Sequence, residues 1–204
     1  MNKLFQPVQV GSLTLKNSIV FAPTSVGREG LDFYEKIAKG GASLIILPDI
    51  SVIPSMLGAP SLGSLQYADY FRKVVEICHQ YDCKVSVQLF HPEYDVDYIG
   101  SLYRQRGKIS SDEVHRLLAE NMMGYADTLT KEQADAIVEK FAAAARNARE
   151  VGVDMIQIHG DRLIGSFSSA LFNHRTDRYA PHTAFAGAVV KVVRAAVPEM
   201  PLDY

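Results

Sequence analysis

The sequence predicts an α/β protein built from repeated βα units around a parallel sheet, and three observations predict it. Four short runs, "SIVFAP", "SLIILP", "KVSVQLF" and "VDMIQIHG", are apolar at nearly every position, as strands buried on both faces are. Segments of helical periodicity lie between them, and that alternation gives either an open doubly wound sheet or a (β/α)₈ barrel. No G-x-G-x-x-G follows any run, which counts against a dinucleotide-binding open sheet. Polar residues gather where the runs end: Thr24 and Ser25, Asp49, Gln88 and His91, then His159 to Arg162. In barrels that end of the strands holds the site.

Taken in order, "VQV" and "LTL" flank Gly11-Ser12, a glycine-first pair suited to a two-residue hairpin turn. "SIVFAP" then reads as a short buried strand. Residues 32–39 read as a helix stopped by Gly40-Gly41, where a left-handed residue would cap it. After the strand "SLIILP", residues 68–80 place Ala68, Phe71, Val74, Val75 and Cys78 on one helical face. "KVSVQLF" is the third strand. Residues 92–130 are the least regular part, with one helix predicted over "SSDEVHRLLAENMMGYA". Thr130 and Gln133 have capping-box spacing, and Ile137, Val138, Phe141, Ala145 and Ala148 follow on one face. "VDMIQIHG" is the fourth strand, a helix spans about 184–196, and a fifth strand begins at "MPLDY".

Composition sets the outer limits. Of 204 residues, 48% are hydrophobic and 22% charged, enough for one sizeable core. A net charge of −2 points to neither nucleic acid nor an acidic membrane surface. The first residues lack the apolar core of a secretory signal, and no apolar stretch approaches the roughly 18 residues of a membrane span. A cytoplasmic protein is expected, with Cys78 and Cys83, its only cysteines, as plain thiols. His79, His115 and His182 have no spaced partners for a metal and read as solvated or capping residues.

Five stretches, in order, resemble the old yellow enzyme family of flavin-dependent reductases. They are "LFQPVQVGSLTLKNSIVFAPTS", "GGASLIILPD", "KVSVQLFH", "FAAAARNAREVGVDMIQIHG" and "SALFNHRTDRYA". The resemblance implies a (β/α)₈ barrel holding FMN at its C-terminal mouth, with NAD(P)H as electron donor. It makes residues 1–204 the N-terminal half of that single domain: about four βα units behind a hairpin. Matched positions put Ala22, Pro23, Thr24 and Ser25 against the flavin ring and Gln88 and His159 at hydrogen-bonding positions. An amide suits the pyrimidine edge because it both donates and accepts. The resemblance also places the family's phosphate-binding site on later strands, so these residues alone are expected to hold FMN weakly and to be inactive.

One segment departs from the family pattern. Where the family reads His-Gly-Ala-His/Asn-Gly-Tyr-Leu, this chain reads His-Gly-Asp-Arg-Leu and is about two residues shorter before Phe167. His159, Asp161 and Arg162 become the candidate catalytic residues. Arg162 offers a fork of donors to a carbonyl, lactam or carboxylate, leaving His159 or Asp161 to supply the proton, with histidine better matched to neutrality. The bland alternative is an Asp161–Arg162 ion pair bracing the loop, with Arg175 and Asp177 bracing the rim. This variant resembles a subgroup proposed to reduce bilirubin to urobilinogen, and a basic, tyrosine-free mouth would suit that linear tetrapyrrole. The expected partners are a small unsaturated substrate and a second copy of the chain. Two further readings stay open at this point. One is a dienoyl-coenzyme-A-type reductase whose 4Fe-4S cysteines would lie beyond these residues. The other is a half-barrel without flavin.

Overall fold

A computed structural model of the chain describes residues 3–25, 30–54, 59–105 and 107–204. Strands β1 (Val8–Val10) and β2 (Leu13–Leu15) form an antiparallel hairpin, Val8 opposite Leu15. Gly11 turns it at φ +57°, a conformation glycine adopts without steric cost. Next come β3 (Val20–Phe21), helix α1 (Leu31–Lys39), β4 (Leu44–Ser51) and α2 (Ala68–His79). They are followed by β5 (Lys84–Phe90), α3 (Val96–Arg104), α4 (Ser111–Thr128) and α5 (Lys131–Glu150). The last elements are β6 (Met155–Ile158), α6 (Arg162–Ser168), α7 (Ala184–Ala196) and β7 (Leu202–Asp203). The five strands β3-β4-β5-β6-β7 lie side by side in sequence order, every pair parallel. Among the described residues no helix is long and apolar enough to cross a membrane.

Alternation along the strands gives the sheet two different apolar faces. Ile45 and Leu47 of β4, Val85, Val87 and Leu89 of β5, and Ile156 and Ile158 of β6 join the main core with α1, α2, α5 and α7. The opposite face begins with Leu44, Ile46 and Met155, which close on Leu15 and its neighbours Val8, Val10 and Leu13. The hairpin therefore plugs the N-terminal end of the strands, as the sequence predicts. Further along that face the side chains turn polar: Ser86, Gln88, Gln157 and Asp203.

Several local expectations hold. The Thr130 hydroxyl accepts from the Gln133 N–H at 3.1 Å while the Gln133 side chain accepts from the Thr130 N–H at 2.7 Å. Gly41 takes φ +106° just past α1. Cys78 and Cys83 are free and fully buried, and the Cys78 thiol is pushed up by its hydrogen bond with Cys83 and then by burial. Arg175 braces the rim through Asp177 and the Ala126 carbonyl.

Four expectations need correction. "SIVFAP" is not a buried strand: β3 has two residues, forms a sheet edge and leaves Val20 43% exposed. The irregular stretch holds a second helix, α3, started by the Asp95 side chain accepting from the Tyr98 N–H. His79 is neither merely solvated nor a cap. Its Nε2 lies 2.8 Å from Asp154 Oδ2, and the same oxygen accepts from the Val85 N–H. That ties the end of α2 to the entry of β6. The basic run Arg104, Arg106 and Lys108 reads in the sequence as a solvated loop; Arg104 instead ends α3, and Arg106 lies outside the described residues.

Candidate functional site

The C-terminal end of the sheet is shaped by a break in β4. Register with β5 shifts between Leu47 and Ile50. Pro48, which has no N–H to give a ladder, sits in the break with Asp49 at φ +48°, a region aspartate tolerates better than most residues. The Asp49 carboxylate lies 3.6 Å from His159 Nε2 through one oxygen and 3.4 Å from Arg162 Nη2 through the other.

Arg162 opens α6, also in the left-handed region at φ +57°. Its second fork nitrogen, Nη1, donates to Glu93 Oε1 at 3.3 Å. The Glu93 side chain is only 11% exposed. The guanidinium lies over the Phe90 ring, 5.9 Å from its centroid, and its Nε is buried without a hydrogen-bond partner. Burial works against the charged form, but Glu93 and then Asp49 outweigh it and hold the guanidinium above its ordinary pKa. His159 is half-buried and accepts from the Asp161 N–H at 3.4 Å through Nδ1. A neutral ring then carries its proton on Nε2, facing Asp49. Asp161 is exposed and forms no side-chain cap on α6.

Two readings of this segment change accordingly. Arg162 does not pair with Asp161; its ion-pair partners are Asp49 and Glu93, delivered by β4 and the segment after β5. Nor is the mouth basic and free of tyrosine. Two carboxylates offset the one guanidinium, and Tyr94 lines a cavity of about 190 Å³ with Asp49, Phe90 and Pro92. Burial, then Glu93, pushes the Tyr94 phenol up, so it keeps its proton at neutral pH.

Gln88 occupies the inner face of β5 and is almost fully buried. Its Nε2 donates to Gln157 Oε1 at 2.9 Å, its cross-strand neighbour on β6. Gln157 Nε2 donates in turn to Asp203 Oδ2 on β7 at 2.6 Å. At the other end the Asp49 N–H donates to Gln88 Oε1 at 3.4 Å. Ala22, Pro23, Thr24 and Ser25 follow the C-terminal end of β3, all but Pro23 exposed. They share with Gln88 and His159 the same end of the sheet, although β4 lies between β3 and β5.

His91 stands apart from the mouth. It is 4% exposed, and its Nδ1 contacts the Pro92 carbonyl at 2.8 Å. Burial, with the charge of Lys140 adding, pushes its pKa down to about 4. The unfolded chain therefore takes up this proton first as pH falls. Stability from a neutral buried His91 is complete above its ordinary value of 6.5 and is lost progressively as pH falls to about 4. The whole effect is about 3 kcal/mol. Urea titrations between those limits are expected to show this loss and His91→Gln to flatten it; an unchanged slope in the variant would refute it.

The internal bonds of Gln88 use one acceptor site and one N–H, leaving one of each for a ligand's donor–acceptor edge. The buried Ser86 hydroxyl, two residues earlier on the same face, has no partner. Ala22, small and exposed, follows directly on β3. These residues fit a flavin ring.

Sequence reading missed Glu93, Tyr94, Gln157 and Asp203. A usable signal existed for Gln157. "VQLF" and "IQIH" each carry one glutamine inside an apolar strand, and register makes the two cross-strand partners.

Comparison with known proteins identifies the family and the fold. A bilirubin reductase from Mediterraneibacter gnavus is 36% identical over 221 residues, covering 99% of this chain and 33% of that protein. A bilirubin reductase from Clostridium symbiosum is also 36% identical, covering 99% of this chain and 57% of its own length. The chain thus spans one third to somewhat over half the length of these relatives. The fold matches Old Yellow Enzyme from Pichia sp. AKU4542 with a TM-score of 0.79 at 24% identity, over 98% of this chain and 58% of that one. Residues 3–200 match the NADH:flavin oxidoreductase / NADH oxidase family, and the chain belongs to that family.

Proposed function

We propose that residues 1–204 are the N-terminal half of an FMN-binding (β/α)₈ domain, about four βα units behind a floor hairpin. The whole protein reduces conjugated C=C bonds with electrons from NAD(P)H, and its substrate is a linear tetrapyrrole of the bilirubin type. The observation that carries this reading is the half-exposed Arg162 fork, just past the end of β6 in a chain 36% identical to two bilirubin reductases over 99% of its length. The same proposal makes the protein cytoplasmic.

Ala22, Pro23, Thr24 and Ser25 would face the flavin ring, and Gln88 and His159 would hydrogen-bond to it. FMN, when bound and reduced, would supply the hydride. Arg162 polarises a lactam carbonyl of the substrate, since a permanently charged planar donor draws electron density out of the conjugated system. Asp49 and Glu93 hold that fork in place. The acid that completes the reduction is His159 in its imidazolium form, which the transfer leaves as a neutral ring, with exposed Asp161, two residues on, as the alternative donor.

The test uses the protein that carries these residues, purified under anaerobic conditions. It is expected to show a flavin spectrum and to bleach bilirubin in the presence of NAD(P)H, whereas the isolated 204 residues bind FMN weakly. A protein with no flavin and no reductase activity would overturn the reading in favour of a non-catalytic half-barrel.

A further inference from the structure

The inner face of the sheet carries a directional row of hydrogen-bonded polar groups that crosses four strands. From β4 to β7 it runs Asp49 N–H, Gln88, Gln157 and Asp203, at 3.4, 2.9 and 2.6 Å. Gln88 stands opposite Gln157, and Gln157 opposite Asp203, in strand register. A glutamine amide is nearly symmetric in shape and can face either way, so something must choose. Here both ends choose, and they agree. A carboxylate only accepts, so Asp203 draws the Gln157 NH₂ towards β7. The Gln157 carbonyl then faces β5 and draws the Gln88 NH₂. The Gln88 carbonyl is left facing β4, where the Asp49 N–H can only donate. Turning Gln88 alone would set oxygen against oxygen on one side and N–H against N–H on the other.

Resting on the FMN reading above, we infer that Asp203 is a positioning residue which, through Gln157, fixes the direction in which Gln88 presents its remaining acceptor and donor to the cofactor. An amide held this way accepts from a ring N–H with its β4-side oxygen and donates to a ring carbonyl with its β6-side nitrogen. With the amide turned, both contacts become like-to-like. Asp203 is two strands away from Gln88 and touches it only through Gln157.

The test compares Asp203→Leu, Gln157→Leu, the double variant and Asp203→Asn in the protein that carries this chain. FMN affinity is measured by fluorescence quenching. In flavin-free protein, the ¹⁵N side-chain amide signals of Gln88 are followed, with thermal stability as a control. Each leucine variant is expected to weaken FMN about tenfold, the loss of one well-placed hydrogen bond. The double variant should lose no more than either single, because the row acts as one unit. Asp203→Asn keeps a carbonyl acceptor and should lose less. The Gln88 amide signals should shift in Asp203→Leu. Unmoved Gln88 signals, or additive losses of affinity, overturn the inference. Shifted signals with unchanged FMN affinity overturn its link to the cofactor. A parent protein that binds no FMN defeats the proposed function instead, and the amide signals alone then decide the row.

Discussion

Under the proposed function, Arg162→Ala is expected to lower bilirubin-type reduction by about 10²-fold, the usual cost of removing one charged or strongly polar donor from a developing oxyanion, without releasing the flavin. The reason is a division of labour at the strand ends. Arg162 stands on α6 and spends its fork on Asp49 and Glu93, with no contact to Gln88. Removing it leaves the Gln88–Gln157–Asp203 bonds in place, while a substrate bound as proposed would lose its cation. The same change strands Glu93, whose side chain is 11% exposed, beside Asp49. The stability cost should be about 1–3 kcal/mol, below the 3–5 of a fully buried pair, because the Arg162 side chain is 39% exposed. Arg162→Lys should recover little, since one ammonium cannot span two carboxylates as a planar fork does. Turnover, flavin content and urea stability measured on the same preparations separate these effects. Full turnover in Arg162→Ala would reduce the residue to a brace between β4, β6 and the segment after β5.

What was legible in the sequence was local, and what was not depended on register. The hairpin, the capping box at Thr130 and the apolar face of α5 follow from spacings of two to four residues, which the chain itself displays. The strand-end position of Gln88, His159 and Arg162 follows from where apolar runs stop. The partners of Arg162 do not. Asp49 is 113 residues away and Glu93 is 69, and Asp49 reaches the guanidinium only from a bulge with φ +48°. Proximity in sequence suggested Asp161, yet the turn into α6 leaves that side chain in solvent. Helix α3 was hidden for a different reason. Its sequence "VDYIGSLYR" carries a mid-helix glycine, which propensity disfavours. Burial of Ile99 and Leu102 and the Asp95 cap overcome that.

Phe167→Ala is expected to destabilise the protein by about 3–5 kcal/mol, in the range for deleting a large buried aromatic. Phe167 is fully buried at the C-terminal part of α6. It stacks on Phe185 of α7 at 4.0 Å between centroids and 8° between planes, and meets Tyr179 edge-on at 5.8 Å and 72°. The Arg175 guanidinium lies over the same ring at 5.6 Å. Asn173 closes the surrounding loop by donating to the Phe167 carbonyl at 2.7 Å and the Tyr179 carbonyl at 3.0 Å. Truncation would open a cavity lined by rings already fixed by other bonds. Tyr179 is held by its hydroxyl bond to Asp135 at 2.6 Å, so collapse around the void is limited and the cost falls towards the upper end. Phe167→Leu, which fills part of the space, should cost about half as much. The consequence reaches the mouth because α6 begins at Arg162, less than two turns before this ring. A helix loosened at Phe167 no longer holds the left-handed Arg162 between Asp49 and Glu93, so Phe167→Ala should also lower turnover at temperatures where the protein remains folded. A destabilisation below about 1 kcal/mol in urea would show that the three rings are not the anchor of α6. A full destabilisation with unchanged turnover would show that Arg162 is placed by its carboxylates alone.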